Sequence, residues 1–311
     1  VMAYYHIDTF QRYVQYLGFD SLQNRPLRVD AHGKANDDQS VFVTNGGDSY
    51  ILLGDGGVDD AEDADVIIHE YGHALSYDAA PDTRRGRERI GLDEGFGDYF
   101  AASYSYDVSP WQWFELFNWD GQNEFWLGRS AITSEIYESN RNYGIYEIGT
   151  FWASTMMEIR LEIGAEITDQ LALEELYYNF PDMTIMNGAI LLIEADSLLF
   201  GGIHTPVIQD KFCAIGVILN SGCLGVSSDT PLPTDFYVYP NPASGQINVK
   251  FPMGVHQIRL WDLSGKLIQS WELSSATQMT TISLPSVEGL FVLEIQSPSG
   301  KKYRKKINII R

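Results

Sequence analysis

Residues 66–75, Val66-Ile67-Ile68-His69-Glu70-Tyr71-Gly72-His73-Ala74-Leu75, carry an H-E-x-x-H pattern inside an apolar run with helical spacing. On a helix, positions i and i+4 share one face, so His69 and His73 can reach one metal ion while Glu70 stands beside it. Two histidines need a third protein ligand. Gly91-Leu92-Asp93-Glu94-Gly95-Phe96-Gly97-Asp98 opens the next helical pattern and supplies one in Glu94. Asp98 lies four residues further on, on the same helix face. It is placed to accept the second N–H of a ligating histidine, by preference His69, and so to fix its tautomer. The set predicts one Zn2+ held by His69, His73 and Glu94, with Glu70 as general base. A solvated acidic helix face is the alternative for the second segment.

Outward from this pair, apolar periodicity near 3.6 predicts helices over Tyr4–Leu17, Ala61–Tyr77, Leu92–Tyr106, Ile148–Ile163, Asp169–Tyr178, Asn187–Leu199 and Thr205–Ile215. A strand-like hairpin over Val41–Leu53, turning at Asn45-Gly46-Gly47, precedes the motif helix. Ser227 to Asp235 is rich in Pro, Ser, Thr and Asp without periodicity, the composition of a linker. Beyond it, alternating runs at Phe236–Tyr239, Ile247–Phe251, Gln257–Trp261, Leu267–Leu273, Thr280–Leu284, Leu290–Ile295 and Lys306–Ile310 predict a small sandwich. The expected class is α+β: a mostly helical domain with an N-terminal edge hairpin over 1–226, a linker over 227–235, and a small all-β sandwich over 236–311.

The net charge of −21 is uneven. Residues 236–311 carry nine Lys/Arg and four Asp/Glu, leaving twelve against thirty-eight in residues 1–235. Such an acidic body repels nucleic acid and anionic membranes, so nucleic-acid partners are set aside. No apolar run is long enough to span a membrane. Cys213 and Cys223 lie ten residues apart and would pair outside the cell, or stay as buried free thiols. His32 and His256 show no partner in sequence, and solvent exposure is their default. The chain begins at Val1 without a signal sequence, so any leader or propeptide is expected to have been removed or to lie outside it.

These residues resemble the gluzincin metallopeptidases, the thermolysin and fungalysin families in particular, over roughly residues 2–217. Ala3-Tyr4-Tyr5 is similar to the first shared helix. Phe42 through Gly54-Asp55-Gly56 is similar to the strand that pairs with substrate backbone and its glycine-rich turn. Asp65-Val66-Ile67-Ile68 leads into the motif in the same way, Glu94-Gly95-Phe96-Gly97-Asp98 resembles the fungalysin segment, and Phe212-Cys213-Ala214-Ile215-Gly216-Val217 resembles the last helix. A metzincin is excluded, because Ser76 and Ala79 stand where glycine and histidine are required. The zinc aminopeptidases' Gly-x-Met-Glu-Asn motif is also missing.

The resemblance implies a zincin catalytic domain, synthesis as a zymogen, and a preference for cutting before bulky apolar residues. It further implies that Arg129 binds a substrate carbonyl, with a surface arginine as the alternative. Tyr146 stands where both families place a catalytic histidine, as an oxyanion donor or as packing. His204 in Gly201-Gly202-Ile203-His204 superficially resembles a thermolysin signature, but its chain order matches the last helical segment, so it is left out of the site. Ser105 occupies the place of a calcium-binding glutamate, and the double calcium site is not carried over. Asp55, Asp59, Asp60, Asp63 and Asp65 are left as Ca2+ candidates.

Tyr239-Pro240-Asn241-Pro242-Ala243, the turn Asp262-Leu263-Ser264-Gly265-Lys266, Gly289-Leu290-Phe291-Val292 and the basic ending from Lys301 resemble the sorting domain of type IX secretion. From the residues alone, a carbohydrate or cell-wall binding module fits as well. The expectation is a secreted, extracellular or cell-surface zinc endopeptidase acting on peptides or proteins through a metal-activated water, with residues 236–311 addressing the secretion machinery. The alternative is a catalytically weak or inactive zincin-fold binding protein, which the tyrosine at 146 favours and the intact Glu70 disfavours.

Overall fold

The computed structural model describes residues 1–45, 47–122, 128–218, 237–239, 243–250, 257–262, 266–273, 279–296 and 302–309. The expected linker 227–235, Cys223, His256, Gly46 of the hairpin turn, residues 240–242 and 263–265, and residues 301 and 310–311 of the basic ending lie outside them. The chain divides into two units, Val1–Val226 and Ser227–Arg311, each with its own apolar core.

In the first unit, α1 (Met2–Tyr16) buries His6, Phe10 and Val14, a stripe at i and i+4. A three-stranded sheet follows from β1 (Arg28–Lys34), β2 (Val41–Asn45) and β3 (Asp48–Gly54) in the order β1-β3-β2. β2 and β3 form the expected hairpin, with Val41 opposite Leu52 and Asn45 opposite Asp48. β1 pairs parallel to β3 and has no sequence signal. Its residues, Arg-Val-Asp-Ala-His-Gly-Lys, are half-exposed or exposed and carry a single β-branched side chain.

Helix α2 (Ala64–Ala79) carries the H-E-x-x-H residues and is capped by Asp63, whose carboxylate accepts from the Asp65 N–H at 2.8 Å. Helix α3 (Arg87–Val108) carries Glu94. It starts five residues before the apolar periodicity does, because its first turn buries Arg89 rather than a hydrophobic residue. Glycines let the two helices touch. A Cβ on Gly72 would lie 3.0 Å from Gly97 Cα, and one on Gly97 would lie 2.7 Å from His69 Nδ1.

Past α3, a two-residue ladder pairs β4 (Glu115–Leu116) with β5 (Arg129–Ser130), with Leu116 opposite Arg129. Helix α4 (Ile145–Ile163) begins three residues before the predicted start, because the Glu147 carboxylate accepts from the Gly144 N–H at 2.7 Å and stabilises the extra turn. That turn contains Tyr146. Helices α5 (Ala165–Leu176), α6 (Ile185–Phe200) and α7 (Thr205–Ala214) complete the core, in which Trp152 of α4 packs 5.1 Å from Phe96 of α3. Cys213 is disulfide-bonded.

The second unit has seven described strands, one at each expected run: β6 (Tyr237–Tyr239), β7 (Gln246–Lys250), β8 (Gln257–Asp262), β9 (Leu267–Glu272), β10 (Met279–Ser283), β11 (Gly289–Gln296) and β12 (Lys302–Ile309). They form two sheets, β10-β7-β6 and β12-β11-β8-β9, with antiparallel pairs throughout. Ile247, Val249 and Ile282 of one sheet share a core with Ile258, Leu260, Leu293, Ile295 and Ile307 of the other. The chain is therefore α+β. No helix among the described residues is long and apolar enough to cross a membrane.

Candidate active site

His69, His73 and Glu94 are buried, and each offers a ligand atom within 4.8 Å of the others. The imidazoles approach edge to face, with ring centroids 4.8 Å apart. Each ring has a carboxylate oxygen close to its Nδ1. His69 Nδ1 lies 2.9 Å from Asp98 Oδ1, and His73 Nδ1 lies 2.8 Å from Asp93 Oδ2. Both Nε2 atoms then face Glu94, at 3.4 Å from Oε2 for His69 and 3.8 Å from Oε1 for His73. Glu70 follows His69 on α2. It is buried, and its Oε2 meets no protein donor.

Arginines surround this acidic cluster. Arg84 donates to Asp93 Oδ2 at 2.8 Å and to Glu94 Oε1 at 2.7 Å. The buried Arg89 donates to Asp93 Oδ1 at 3.1 Å and to Ser76 Oγ at 3.0 Å. Arg129 donates through Nη1 to both oxygens of Asp98, at 2.8 and 2.9 Å. Burial alone would lower the His69 imidazole, but Asp98 and Glu94 outweigh it and push it up to about 10. Burial works against Glu94 as an anion, yet His69, His73 and Arg84 hold its carboxyl down at about 2. The same balance lowers Asp93 and Asp98. A field that holds a proton this firmly also favours a cation in its place. Two imidazole nitrogens and a carboxylate, with a carboxylate oxygen beside each outer imidazole nitrogen, are a donor set that suits zinc.

The site opens into a cleft of about 1400 Å³, lined also by Val41, Phe42 and Thr44 of the edge strand β2. Arg129 and Tyr146 line it too. The Arg129 guanidinium sits 4.4 Å from the Tyr146 ring centroid and 5.2 Å from that of Phe117. Tyr146, exposed at 53%, is thus a platform for Arg129.

His204 lies elsewhere. Its Nδ1 meets Asp196 Oδ1 at 2.8 Å and its ring packs against Phe200 at the start of α7. His32 is mostly exposed and lies 3.3 Å from Asp55. The calcium expectation needs correction, since the five aspartates do not gather into one group. Asp63 accepts from the N–H groups of Asp65, Trp119 and Asp120. Asp65 accepts from Ser105 Oγ and the Phe117 N–H. Those carboxylates are spent on protein donors, and nothing supports calcium at that set. Asp60 alone belongs to a carboxylate cluster, with Asp38 and Asp120.

Residues 237–310 match the family model of the secretion system C-terminal sorting domain. The chain is a secreted or cell-surface protein. No curated protein sequence matches it. Among solved structures, the chain is similar to the precursor of protealysin, a metalloproteinase from Serratia proteamaculans. The identity is 16%, the match covers 70% of this chain and 78% of that one, and the TM-score is 0.53. At that identity the likeness shows a shared fold. A second structure, CopC from Methylosinus trichosporium OB3b, matches 24% of this chain and 90% of its own at 17% identity, and its TM-score of 0.19 carries no argument.

Sequence reasoning missed Asp93, Arg84 and Arg89. Asp93 carries a faint signal, since it lies one residue before Glu94 and four after Arg89 on α3. Arg84 lies in the turn between α2 and α3, where no periodicity points to the metal ligands.

Proposed function

We propose that this chain is a secreted zinc-dependent endopeptidase of the gluzincin type. The observation that supports it most is the convergence of His69 Nε2, His73 Nε2 and the Glu94 carboxylate beside Glu70, in a cleft bordered by an edge strand. When bound there, zinc supplies Lewis-acid chemistry that acidifies water and polarises the scissile carbonyl. Asp98 and Asp93 hold the two imidazoles as Nδ1–H tautomers, which leaves each Nε2 a lone pair for the ion.

Glu70 takes the proton of the attacking water on its carboxylate. As the water oxygen bonds the carbonyl carbon and the C–N bond breaks, Glu70 passes that proton to the leaving amine nitrogen. Arg129, fixed by Asp98 and stacked on Tyr146 at the cleft wall, binds the substrate carbonyl oxygen, with the Tyr146 hydroxyl as a second donor. β2, an edge strand among the described residues, offers its backbone to the substrate, as in strand addition.

The test is mass spectrometry of a diverse peptide library after incubation with the zinc-loaded full chain, with and without a chelator. Internal cleavages that vanish with chelation and return with zinc are expected. A zinc-loaded chain that cuts nothing would replace this reading with that of a zincin-fold binding protein.

A further inference from the structure

Arg84 bonds a proposed metal ligand directly and has no part in the chemistry described above. It stands in the turn between α2 and α3, which is pinned on both sides of it. Thr83 Oγ1 donates to the Ala80 carbonyl at 2.7 Å and accepts from Arg89 Nη2 at 3.3 Å. Arg85 forms an ion pair with Asp182 at 2.8 Å, and its carbonyl accepts from the Asp182 N–H at 2.8 Å. Gly86 closes the turn at φ +89°, where a Cβ would lie 2.8 Å from Asp182 Cα. Held between these anchors, Arg84 lays one edge of its guanidinium over two carboxylates. Nε donates to Asp93 Oδ2 at 2.8 Å and Nη2 to Glu94 Oε1 at 2.7 Å. The fork ties together two adjacent side chains that the helix itself splays apart. Asp93 Oδ2 in turn lies 2.8 Å from His73 Nδ1. The Glu94 oxygen that Arg84 leaves alone, Oε2, lies 3.4 Å from His69 Nε2, whereas Oε1 is 3.8 Å from His73 Nε2.

We propose that Arg84 is a positioning residue that keeps Glu94 Oε1 off the metal, so that Glu94 binds zinc through Oε2 alone and one coordination position stays open. The inference rests on the zinc reading of the site and adds to it the residue that sets the coordination number. A carboxylate can hold a metal ion through one oxygen or through both. A guanidinium 2.7 Å from Oε1 puts a positive charge where a dication would have to approach that oxygen, and like charges at such range repel strongly inside a protein. Two imidazole nitrogens and a single carboxylate oxygen leave the fourth tetrahedral position free, which is what a catalytic site needs and a structural one does not. Both oxygens of Glu94 together would fill it. Arg84 is half-exposed on the cleft wall, so shortening it leaves no buried cavity. Without Arg84, Asp93 still accepts from Arg89 at 3.1 Å and from Ser76 Oγ at 2.5 Å, so His73 keeps its orienting carboxylate and the effect falls on Glu94.

The experiment loads the metal-free full chain with one equivalent of Co2+, a coloured stand-in for zinc, and compares the wild type with Arg84→Met and Arg84→Lys. Visible ligand-field absorption is intense for four-coordinate cobalt and falls when a fifth ligand atom joins. Affinity for Co2+ is read by competition with a chelator. The wild type should give the intense, four-coordinate spectrum. In Arg84→Met both oxygens of Glu94 become available, so the intensity should drop by about half or more. Affinity should hold or tighten at the same time, because a repelling charge has gone and a ligand atom has been gained. Arg84→Lys keeps a charge beside Oε1 and should restore the wild-type spectrum. A residue that only anchored Glu94 would behave in the opposite way: the methionine variant would lose roughly 10–100-fold in affinity with its spectrum unchanged, and that result overturns the proposal. A wild-type spectrum that is already five-coordinate overturns it too. None of these readouts needs turnover. A chain that binds Co2+ as expected but cleaves no peptide loses the peptidase reading and keeps the role of Arg84, whereas a chain that binds no Co2+ loses both.

Discussion

Around Glu94, buried carboxylates face cations: His69 and His73 on one side, Arg84, Arg89 and Arg129 on the other. At Asp60, in the same cleft, the carboxylates of Asp38, Asp60 and Asp120 face one another. The pKa directions separate the two groups. Glu94, Asp93 and Asp98 are held low against the effect of burial. Asp60 is raised by burial and by Asp38, and Asp120 is pushed up to about 8 by burial and by its acidic neighbours. One cluster sets two imidazoles and a carboxylate among acids and arginines that balance one another. In the other, burial and neighbouring acids raise Asp60 and Asp120, so a proton is held there.

The largest effect should come from removing a ligand on the compensated side. His73→Ala leaves two metal-binding side chains, too few to close a tetrahedral site, so zinc content should fall from one per chain to near zero and peptidase activity with it. Elemental analysis of the folded variant checks this, and a stoichiometric zinc content would contradict the assignment. Glu70→Gln and Tyr146→Phe come next, both nearly isosteric and both expected to keep zinc. The glutamine cannot accept the proton of the attacking water, so kcat should drop by roughly 10²–10⁴-fold. The phenylalanine keeps the ring under Arg129 and loses the hydroxyl, so a loss of about 10²–10³-fold in kcat with little change in KM isolates the donor role. An unchanged kcat would leave Tyr146 as packing for Arg129.

Asp98→Ala removes an orienting partner and keeps all three ligands. Zinc affinity, measured by competition with a chelator, should weaken by roughly 10–100-fold. Unchanged affinity would reduce Asp98 to an anchor for Arg129.

The smallest effect sharpens the comparison from the side of Asp120. Asp120 faces Asp38, Asp60 and Asp63, and its folded pKa of about 8 lies above the usual 3.8. The folded state therefore binds this proton more tightly than the unfolded chain does. Its contribution to stability is complete below the usual value and is lost as pH rises through about 8. Tm of the zinc-loaded wild type should decline from pH 5 to pH 8.5 more steeply than that of Asp120→Asn. Parallel profiles would mean that another group carries the proton.

The convergence of His69, His73 and Glu94 was legible because a helix repeats its face every three to four residues. His69 and His73, and then Glu94 and Asp98, announce themselves by spacing within one element. The seven β-runs of the second unit were legible for a similar reason, alternation over short segments between turn residues. Arg84, half-exposed in the turn, and the buried Arg89 were not legible, because apolar periodicity is blind to a cation whose partners are acids on a neighbouring or the same helix. β1 was hidden by its half-exposed position and mixed composition. The Asp38, Asp60 and Asp120 cluster joins three segments far apart in sequence, so no local pattern foretells it. The calcium expectation failed on the same ground: a run of nearby aspartates does not reveal which carboxylates fold against backbone N–H groups.

The central claim is that one zinc ion at His69, His73 and Glu94 makes this chain a peptidase. Its most direct test is to titrate zinc into the metal-free full chain while following cleavage of a single reporter peptide taken from the library digest. Activity should rise in proportion to added zinc and level off at one equivalent, and Glu70→Gln should bind the same equivalent with its activity depressed by the factor given above. Cleavage that proceeds without zinc, or a fully loaded wild type no faster than Glu70→Gln, would contradict the account.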